Sequence, residues 1–576
     1  MSNYKISVEK SKDNKDIIKV ITSNKSIYLG SKYSVNRDIS NLKKFTNEHN
    51  DSNIIIIGLS TGEYIDEIKD LIKDNKIIII EPCKEIYDLY LLKERKEENI
   101  IILPLLNEYI DLISLYIKKI ALEGFQVYEN TNYKNIFQDE VSEIYKLIRN
   151  ITRKIIIFRN TEIFFSKIWF ESTVSTLRYL YESKKINYFK DIYKDRPAII
   201  VSAGPSLSKN IKEIKKFQDK SVIFTGGRTL RALINEDINP DFLSIVDAHD
   251  LSYELVEDII ESNNTTLVHS EILPNNIMDK HKGEKIFFPY RGWIKDLVNG
   301  PDYQFCYSSV AHTCTKIAMY MGCNPIIFVG QDLAYTDDKV HADNAKFIQE
   351  RNKDKEDIDK VKSNSDIYVK DINGNYVRTS TTLDLFRQQF EEIIEENKDI
   401  EFINSTEGGA DIKGTTVKKL IDNTSLLNNL KKKESININD TRIDIALNKE
   451  DIENIFNKSI EYLEKIISKL QEAIKQNEKY YNHYIGNNKI LKSALKILDE
   501  TDRMVKEIPS EVKFIEYLFS ETINIVLYDP KYKIKYNDSE LTKAKKIYEK
   551  SKILYENILK EAIYAVNYIK NKKISI

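Results

Sequence analysis

The sequence has few of the features that mark a secreted, membrane-spanning or metal-binding chain. Its 576 residues include four cysteines, Cys83, Cys306, Cys314 and Cys323, without a Cys-x-x-Cys pair or a Cys/His spacing typical of zinc. Its apolar runs are strand-length, far short of the roughly 20 residues that span a bilayer, and the N-terminus lacks a signal-peptide core. We therefore expect a cytoplasmic chain with reduced thiols, no membrane span and no cysteine-based metal site.

An excess of either charge is also missing. Lys and Arg number 87 and Asp and Glu number 89, which argues against a nucleic-acid partner. Hydrophobic residues make up 41% of the chain, too many for a disordered protein. At roughly 150 residues per domain, the length indicates several domains.

The pattern along the chain predicts an α/β protein with a helical end. The predicted units are a Rossmann-like N-terminal domain, a helical connector, a central doubly wound catalytic domain and a helical C-terminal bundle, over residues 1–130, 131–190, 191–425 and 426–576.

In the N-terminal unit, a glycine-containing turn follows a predicted strand. The strand Asn53–Ile57 leads into Gly58–Gly62 and a helix, and the next strand ends at Glu81. An acidic residue about twenty positions after such glycines can bind a ribose. With only two glycines present, a structural turn is favoured over a nucleotide or methyl-donor site.

The central unit has the clearest alternation of strands and helices. Its predicted strands are Ala198–Ser202, Val222–Thr225, Phe242–Val246, Thr266–Val268, Lys285–Phe288 and Pro325–Val329. The polar stretch Ala342–Ser380, with an Asn373-Gly374 hairpin signal, is predicted to be a mobile flap or insertion.

A turn shaped for a phosphate follows the first of these strands. Gly204 lets backbone approach a ligand, Pro205 stiffens the exit, and Ser206 is placed to cap a helix whose positive end would attract an anion. The plainer alternative is an ordinary strand–helix loop with a capping serine, which the flanking pattern disfavours.

Two neighbouring strand ends add polar groups to the same edge. Gly226 and Gly227 form a second permissive turn, where Arg228 either clamps a phosphate or lies in solvent. Asp247 and His249 could bind a ribose or Mg²⁺ or act as a base, and Asp250 is favoured as a helix cap.

The remaining candidates come from the last part of the predicted sheet. Ser308 and Ser309 precede a helix and can donate to an anion; Gln331 and Asp332 end another strand, with Tyr335 and His341 just beyond. His341, on a polar loop, is the better titrating candidate, whereas His312 in an apolar helix is favoured as a core residue.

Taken together, four motifs resemble those of the motility accessory factor (Maf) family. They are Ser202-Ala-Gly-Pro-Ser-Leu207, Pro240-Asp241 with Asp247, Gly330-Gln-Asp-Leu-Ala-Tyr-Thr-Asp337 with His341, and Asn404-Ser-Thr-Glu-Gly-Gly-Ala410. The core is also similar to bacterial sialyltransferases. Ser202 and Ala203 depart from that pattern, in which a glycine and a nucleotide-binding asparagine are usual.

The resemblance implies transfer of a nonulosonic acid from its CMP-activated form onto Ser or Thr of flagellin, with inversion and without a required cofactor. By position it implies that Gly204–Ser206 hold the nucleotide, that Ser308-Ser309 meet the sugar carboxylate and that Tyr335 contacts the leaving phosphate. We expect His341 to be the base, with Asp332 and His249 as further candidates.

Two other functions stay open. The Maf core is also similar to an archaeal-type pterin pyrophosphokinase, which would use Asp247 and Asp250 for Mg²⁺ around ATP. A non-catalytic flagellin chaperone would instead use the helical regions as its working surface.

Overall fold

The computed structural model describes residues 4–22, 25–71, 75–91, 99–345, 366–434, 438, 442–487, 491–535 and 538–573. The strands are β1 Lys5–Lys10, β2 Asp16–Ile21, β3 Ser26–Leu29, β4 Asn53–Ile57, β5 Ile77–Glu81, β6 Ile100–Pro104, β7 Phe125–Glu129, β8 Lys184–Lys185, β9 Ala198–Val201, β10 Val222–Gly226, β11 Phe242–Ser244, β12 Thr266–His269, β13 Lys285–Phe287, β14 Ile326–Val329, β15 Asp366–Lys370, β16 Tyr376–Ser380, β17 Phe402–Asn404 and β18 Thr416–Val417.

The α-helices are α1 Val35–Glu48, α2 Ile65–Ile68, α3 Lys84–Leu91, α4 Ile110–Ala121, α5 Tyr133–Ile136, α6 Gln138–Leu177, α7 Leu207–Asn210, α8 Gly227–Asn235, α9 Asp250–Glu254, α10 Asn275–Lys280, α11 Gly292–Val298, α12 Val310–Tyr320, α13 Thr381–Glu396, α14 Lys449–Asn487, α15 Lys492–Lys506, α16 Ile515–Leu527 and α17 Glu540–Lys573. Within the described ranges, no helix is both long and apolar enough to cross a bilayer.

The chain forms two compact units, each built from separate stretches. One contains Met1–Phe165, Leu470–Thr501 and Ser520–Ile558; the other contains Ser166–Lys469, Asp502–Phe519 and Leu559–Ile576. The C-terminal helices are thus shared between the two units, whereas the sequence predicted a separate bundle over 426–576.

The first unit contains a parallel four-stranded sheet in the order β6-β5-β4-β7 and an antiparallel sheet β1-β2-β3. The isoleucine runs of β4 and β5 are buried on both faces, as parallel strands covered by helices require. Leu42 of α1 and Ile113 and Ile117 of α4 pack into the same core.

The second unit is built on a nine-stranded, all-parallel sheet in the order β18-β17-β14-β9-β10-β11-β12-β13-β8. The chain runs from β9 outward through β10 to β13, then returns to the other side of β9 with β14. This reversal creates a topological switch point, where open α/β sheets bind ligands. The predicted fold class, with a Rossmann-like unit, a doubly wound core and a helical C-terminal region, is confirmed.

The helix predicted after Ser206 is wrong in one respect, because it is broken after one turn. The α7 helix ends at Asn210, and a 3-10 helix continues over Ile211–Lys216. Asn210 has a non-helical backbone (φ −134°), and its buried amide donates to Ser405 O at 2.8 Å. The tertiary hydrogen bond therefore overrides the helical spacing of the apolar residues, which are still buried.

The hairpin signal in the predicted insertion is confirmed by the antiparallel pair β15–β16, which turns at Asn373-Gly374. This hairpin is fixed to the loop after β14, since Thr379 Oγ1 donates to Leu333 O at 2.7 Å and Tyr335 N donates to Arg378 O at 2.9 Å. Residues 346–365 of the predicted flap lie outside the described residues.

Candidate active site

A cavity of about 380 Å³ opens at the carboxyl edge of the nine-stranded sheet. Its walls come from the turns after β9, β10 and β14, from the start of α12, and from Leu383 and Phe386 of α13. This is the switch point of the sheet, and the volume lies within the roughly 300–1,000 Å³ of small-molecule sites. The fold therefore places the cavity where the sequence predicted a ligand.

The floor of this cavity is organised by the buried Asp332 side chain. Its Oδ1 accepts the Ser206 hydroxyl at 2.7 Å, and its Oδ2 accepts the Thr336 hydroxyl at 2.6 Å. The Ser206 N–H also points at this carboxyl group, at 3.2 Å from Oδ2. Burial raises the pKa of Asp332, while the Thr336 and Ser206 hydroxyls counteract that shift.

Three glycines allow the turns to close around this aspartate. A Cβ on Gly204 would lie 2.1 Å from Asp332 Oδ1, and one on Gly409, where φ is +87°, would lie 2.3 Å from Asp332 O. At Gly330, where φ is +67°, a Cβ would lie 2.3 Å from Ser202 O. The glycine of the Ala203–Ser206 turn thus makes room for Asp332.

This packing changes the role expected for Ser206. The sequence predicted a helix cap with a phosphate nearby, yet the Ser206 side chain caps no backbone N–H and donates to Asp332. The short α7 already meets a carboxyl group of the chain itself. An incoming phosphate therefore needs another set of donors.

Two longer helices supply such donors by beginning at the cavity. The α8 helix starts after Gly226, which has no side chain to cap its first N–H groups, and α12 starts after Ser309. The two starts touch, because a Cβ on Gly226 would lie 3.0 Å from Val310 Cγ1. Helix N-termini attract anions through their N–H groups and dipoles. Arg228, in the first turn of α8, also lines the cavity.

His341 also lines the cavity, from the loop that precedes the 3-10 turn Asp343–Ala345. The next residue, Ala342, is fully buried and donates its N–H to Ala203 O at 3.0 Å. The backbone therefore anchors His341 beside the Ala203–Ser206 turn. This imidazole and the start of α8 line one cavity, while their expected roles as a base and a phosphate site stay predictions.

The predicted site residues divide into two groups by position. Those lining the cavity are Gly204, Gly226, Gly227, Arg228, Ser309, Gln331, Asp332 and His341; those outside its lining are Pro205, Ser206, Asp247, His249, Ser308 and Tyr335. The second group has other contacts. Tyr335 lies under the Arg378 guanidinium, 4.6 Å from ring centroid to Cζ, and Asp247 Oδ1 accepts the His249 N–H at 3.0 Å.

His249 in turn caps α9, because its Nδ1 accepts the Leu251 N–H at 3.2 Å. His249 thus lies outside the cavity lining that contains His341, although the sequence grouped the two as candidate bases. Among the described residues, no cluster of three or more His, Cys, Asp or Glu side chains could hold a metal ion.

Some lining residues were absent from the sequence prediction. The Ser202 hydroxyl donates to Gln331 Oε1 at 2.5 Å, and Val340, Leu383 and Phe386 form apolar wall. Leu383 and Phe386 follow the hairpin that the sequence assigned to an insertion. In the sequence, the glycine pair Gly408-Gly409 was the one sign that another backbone segment comes close to Asp332.

The glycine turn of the first unit has a different environment. A Cβ on Gly58 would lie 2.5 Å from the Tyr133 ring, and the Tyr133 hydroxyl accepts from Ser60 N and donates to Glu81 Oε2. Glu81 is fully buried and also accepts the Leu59 and Cys83 N–H groups. The chain's own side chains thus fill this turn, which favours the structural alternative.

Comparison with known proteins links this architecture to a known fold. A structure of a Maf glycosyltransferase from Magnetospirillum magneticum AMB-1 aligns over 99% of this chain and 93% of its own, with a TM-score of 0.62 and 14% identity. The chain has the Maf glycosyltransferase fold. The expected resemblance to the Maf family is confirmed at the level of the fold.

Comparisons of sequence cover less of the chain. A family described as MptE-like 6-hydroxymethylpterin diphosphokinase matches residues 171–338, which contain most of the cavity wall. An uncharacterised protein of Treponema pallidum (strain Nichols) is 28% identical over 132 residues, 23% of this chain. The match spans 61% of the length of that relative.

Proposed function

We propose that this protein is a glycosyltransferase that transfers a nonulosonic acid, such as a sialic, legionaminic or pseudaminic acid, from its CMP-activated form onto Ser or Thr of flagellin. The observation that carries the proposal is the cavity at the sheet switch point, where the uncapped start of α8 and Arg228 face a space of ligand size. The Maf fold over nearly the whole chain supports the choice of reaction.

In this mechanism, the phosphate of CMP lies at the start of α8. The first N–H groups after Gly226 and the Arg228 guanidinium stabilise the negative charge that grows on the phosphate as it leaves. These donors belong to a helix already fixed by the sheet, so they need little reorganisation during the reaction. CMP is a good leaving group, and this mechanism requires no metal ion.

His341 serves as the general base. It takes the proton of the acceptor hydroxyl while the hydroxyl oxygen bonds to the anomeric carbon and the bond from that carbon to the phosphate oxygen breaks, releasing CMP. Attack from the face opposite the phosphate inverts the anomeric carbon. Asp332 holds the turns in place, because its oxygens are occupied by the Ser206 and Thr336 hydroxyls.

The experiment incubates the full chain with flagellin and a panel of CMP-nonulosonic acids and follows the intact mass of flagellin. We expect a mass gain of one sugar residue per modified site, together with release of CMP. Flagellin that binds the protein without any gain in mass would contradict the proposal and favour a chaperone.

A second candidate follows from the MptE-like match over residues 171–338. A pterin pyrophosphokinase would transfer a diphosphate from ATP to 6-hydroxymethylpterin and release AMP, with Asp247 and Asp250 as the carboxylates that the resemblance assigns to Mg²⁺. A parallel incubation with that pterin, ATP and Mg²⁺ tests it directly. AMP release that depends on the pterin, without transfer to flagellin, would replace the first candidate with this one.

A further inference from the structure

A hydrogen-bonded Ser–His pair lies in the first turn of α12, at the cavity wall. Ser309 lines the cavity, and its Oγ lies 2.6 Å from His312 Nδ1. On the other side of the ring, His312 Nε2 lies 3.0 Å from Phe386 O. None of the functions inferred so far uses His312.

The partners of His312 determine where its protons are. Phe386 O is a carbonyl and can only accept, so Nε2 carries a hydrogen. Burial lowers the pKa of His312 to about 4, so the ring is neutral near pH 7 and Nδ1 has a free lone pair. The Ser309 hydroxyl must therefore donate its single proton to Nδ1.

The surroundings hold the ring in this orientation. His312 is fully buried and stacks on Phe390 with 3.9 Å between ring centroids. A flipped ring would lose both hydrogen bonds inside an apolar pocket, which is costly. Ser309 Oγ also accepts the His312 N–H at 3.4 Å, as the cap of α12.

We propose that His312 is a positioning residue, which commits the Ser309 proton so that this hydroxyl offers the ligand only an acceptor. The sugar-donor group that meets Ser309 is then a hydroxyl or an amide N–H. A carboxylate or phosphate oxygen, which has no proton to give, is disfavoured there. This inference rests on the proposed function and revises the role that the resemblance gave to Ser309, a contact to the sugar carboxylate.

The neighbouring serine provides a matched control. Ser308 Oγ accepts the Gln389 amide at 2.9 Å, and Ser308 does not line the cavity. Its own proton is not committed to a histidine. The two adjacent serines thus differ in whether a histidine takes the hydroxyl proton and in access to the cavity. The same substitution, Ser to Ala, should therefore have unequal effects.

The first test needs no ligand. The chain contains seven histidines, and labelling them alone with ¹⁵N gives seven pairs of ring nitrogen signals, of which the pair lost in His312→Phe is assigned to His312. At pH 7.5 we expect the neutral tautomer with the proton on Nε2. A proton on Nδ1, or a charged ring, would overturn the proposal whether or not the protein is a glycosyltransferase.

The second test measures binding of CMP-N-acetylneuraminic acid and of CMP by calorimetry. Loss of one neutral hydrogen bond is expected to weaken binding of the sugar nucleotide roughly 3- to 10-fold in Ser309→Ala. Ser308→Ala should change it less than twofold. Adding His312→Phe to Ser309→Ala should weaken binding of the sugar nucleotide little further, because His312 acts through Ser309. A further loss of affinity as large as that caused by Ser309→Ala would overturn that role.

A donor analogue with a methyl group in place of the sugar carboxylate, which can neither donate nor accept a hydrogen bond, identifies the group that Ser309 meets. If Ser309 accepts from a hydroxyl or an amide, the Ser309→Ala effect persists with the analogue. If the effect disappears, Ser309 contacts the carboxylate and the proposal is wrong. Neither result depends on whether flagellin is the acceptor, which the mass assay decides.

Discussion

The two units of this protein place a glycine turn at the same point of a parallel sheet and use it differently. In the first unit, the turn after β4 is filled by Tyr133, whose ring covers Gly58 and whose hydroxyl contacts Glu81. In the second unit, the turns after β9 and β10 border a cavity of about 380 Å³. One sheet edge is closed by the chain itself, and the other is open to a ligand.

The comparison shows what a glycine after a strand indicates. A missing Cβ shows that some group approaches the backbone, but it does not say whether that group belongs to a ligand or to the protein. Even in the open unit, Gly204 accommodates Asp332, while Gly226 lies at an uncapped helix start. The distinction between these glycines depends on residues far away in sequence.

The largest expected effect concerns the second unit, whose sheet edge is open to a ligand. Replacement of His341 by Ala removes the proposed base and should lower the rate of sugar transfer roughly 100-fold or more, because general base catalysis typically contributes 10²–10⁴. The rate of CMP release is the measurement. As a control, His483→Ala changes a residue of α14 that contacts Asn487 and should leave the rate unaltered. Equal rates for wild type and His341→Ala would remove His341 from the mechanism.

In the first unit, where Tyr133 fills the glycine turn, the largest expected effect is a pH dependence of stability. Burial raises the pKa of Glu81 to about 7, above its ordinary 4.5. The folded state therefore holds this proton more tightly than the unfolded state, and its stabilising contribution, present below pH 4.5, is lost as the pH rises towards 7. Relative to Glu81→Gln, wild type should lose roughly 3 kcal/mol over that range in urea unfolding. A difference independent of pH would show that Glu81 is not buried as described.

Arg228→Ala should have the next largest effect, again on the open side. Loss of a charge-assisted contact to phosphate predicts roughly 10- to 100-fold weaker binding of CMP. Arg231, on the same helix, pairs with Asp258 and does not line the cavity, so Arg231→Ala is the matched control. If both variants bind CMP like wild type, the phosphate does not lie at the start of α8.

The smallest expected effect concerns the group that closes the first unit. Tyr133→Phe keeps the ring over Gly58 but removes a donor to Glu81 and the acceptor of Ser60 N, which should cost about 1–2 kcal/mol of unfolding free energy. Sugar transfer should not change. Tyr145 is exposed and its hydroxyl donates to Glu129 Oε2 at 3.4 Å, so Tyr145→Phe should cost much less. A loss of transfer in Tyr133→Phe alone would mean that the closed turn serves the reaction.

Much of the fold could be predicted from the sequence because it depends on local patterns. The isoleucine runs of β4 and β5 and the alternation after Ala198 gave the strands nearly to the residue, and the turns after them gave the edge where the cavity lies. The expected roles of His341 and Arg228 stay predictions, although both residues line that cavity.

What could not be predicted depends on contacts between distant residues. Ser206 and Asp332 are 126 positions apart, and their hydrogen bond removes the Ser206 hydroxyl from phosphate binding. The amide of Asn210 breaks the expected helix by reaching Ser405, and Tyr133 closes a turn 75 residues before it. The prediction that His312 is a core residue is confirmed, but the contact of its Nε2 to Phe386 O, 74 positions away, could not be seen in the sequence.

A structure of the protein crystallised with CMP would show both sheet edges in one map. We expect the phosphate at the first N–H groups of α8, beside Arg228 and in the cavity that His341 also lines, with Tyr133 still covering Gly58. A nucleotide bound at Gly58–Gly62 with Tyr133 displaced, or a cavity that excludes CMP at saturating concentration, would contradict this expectation.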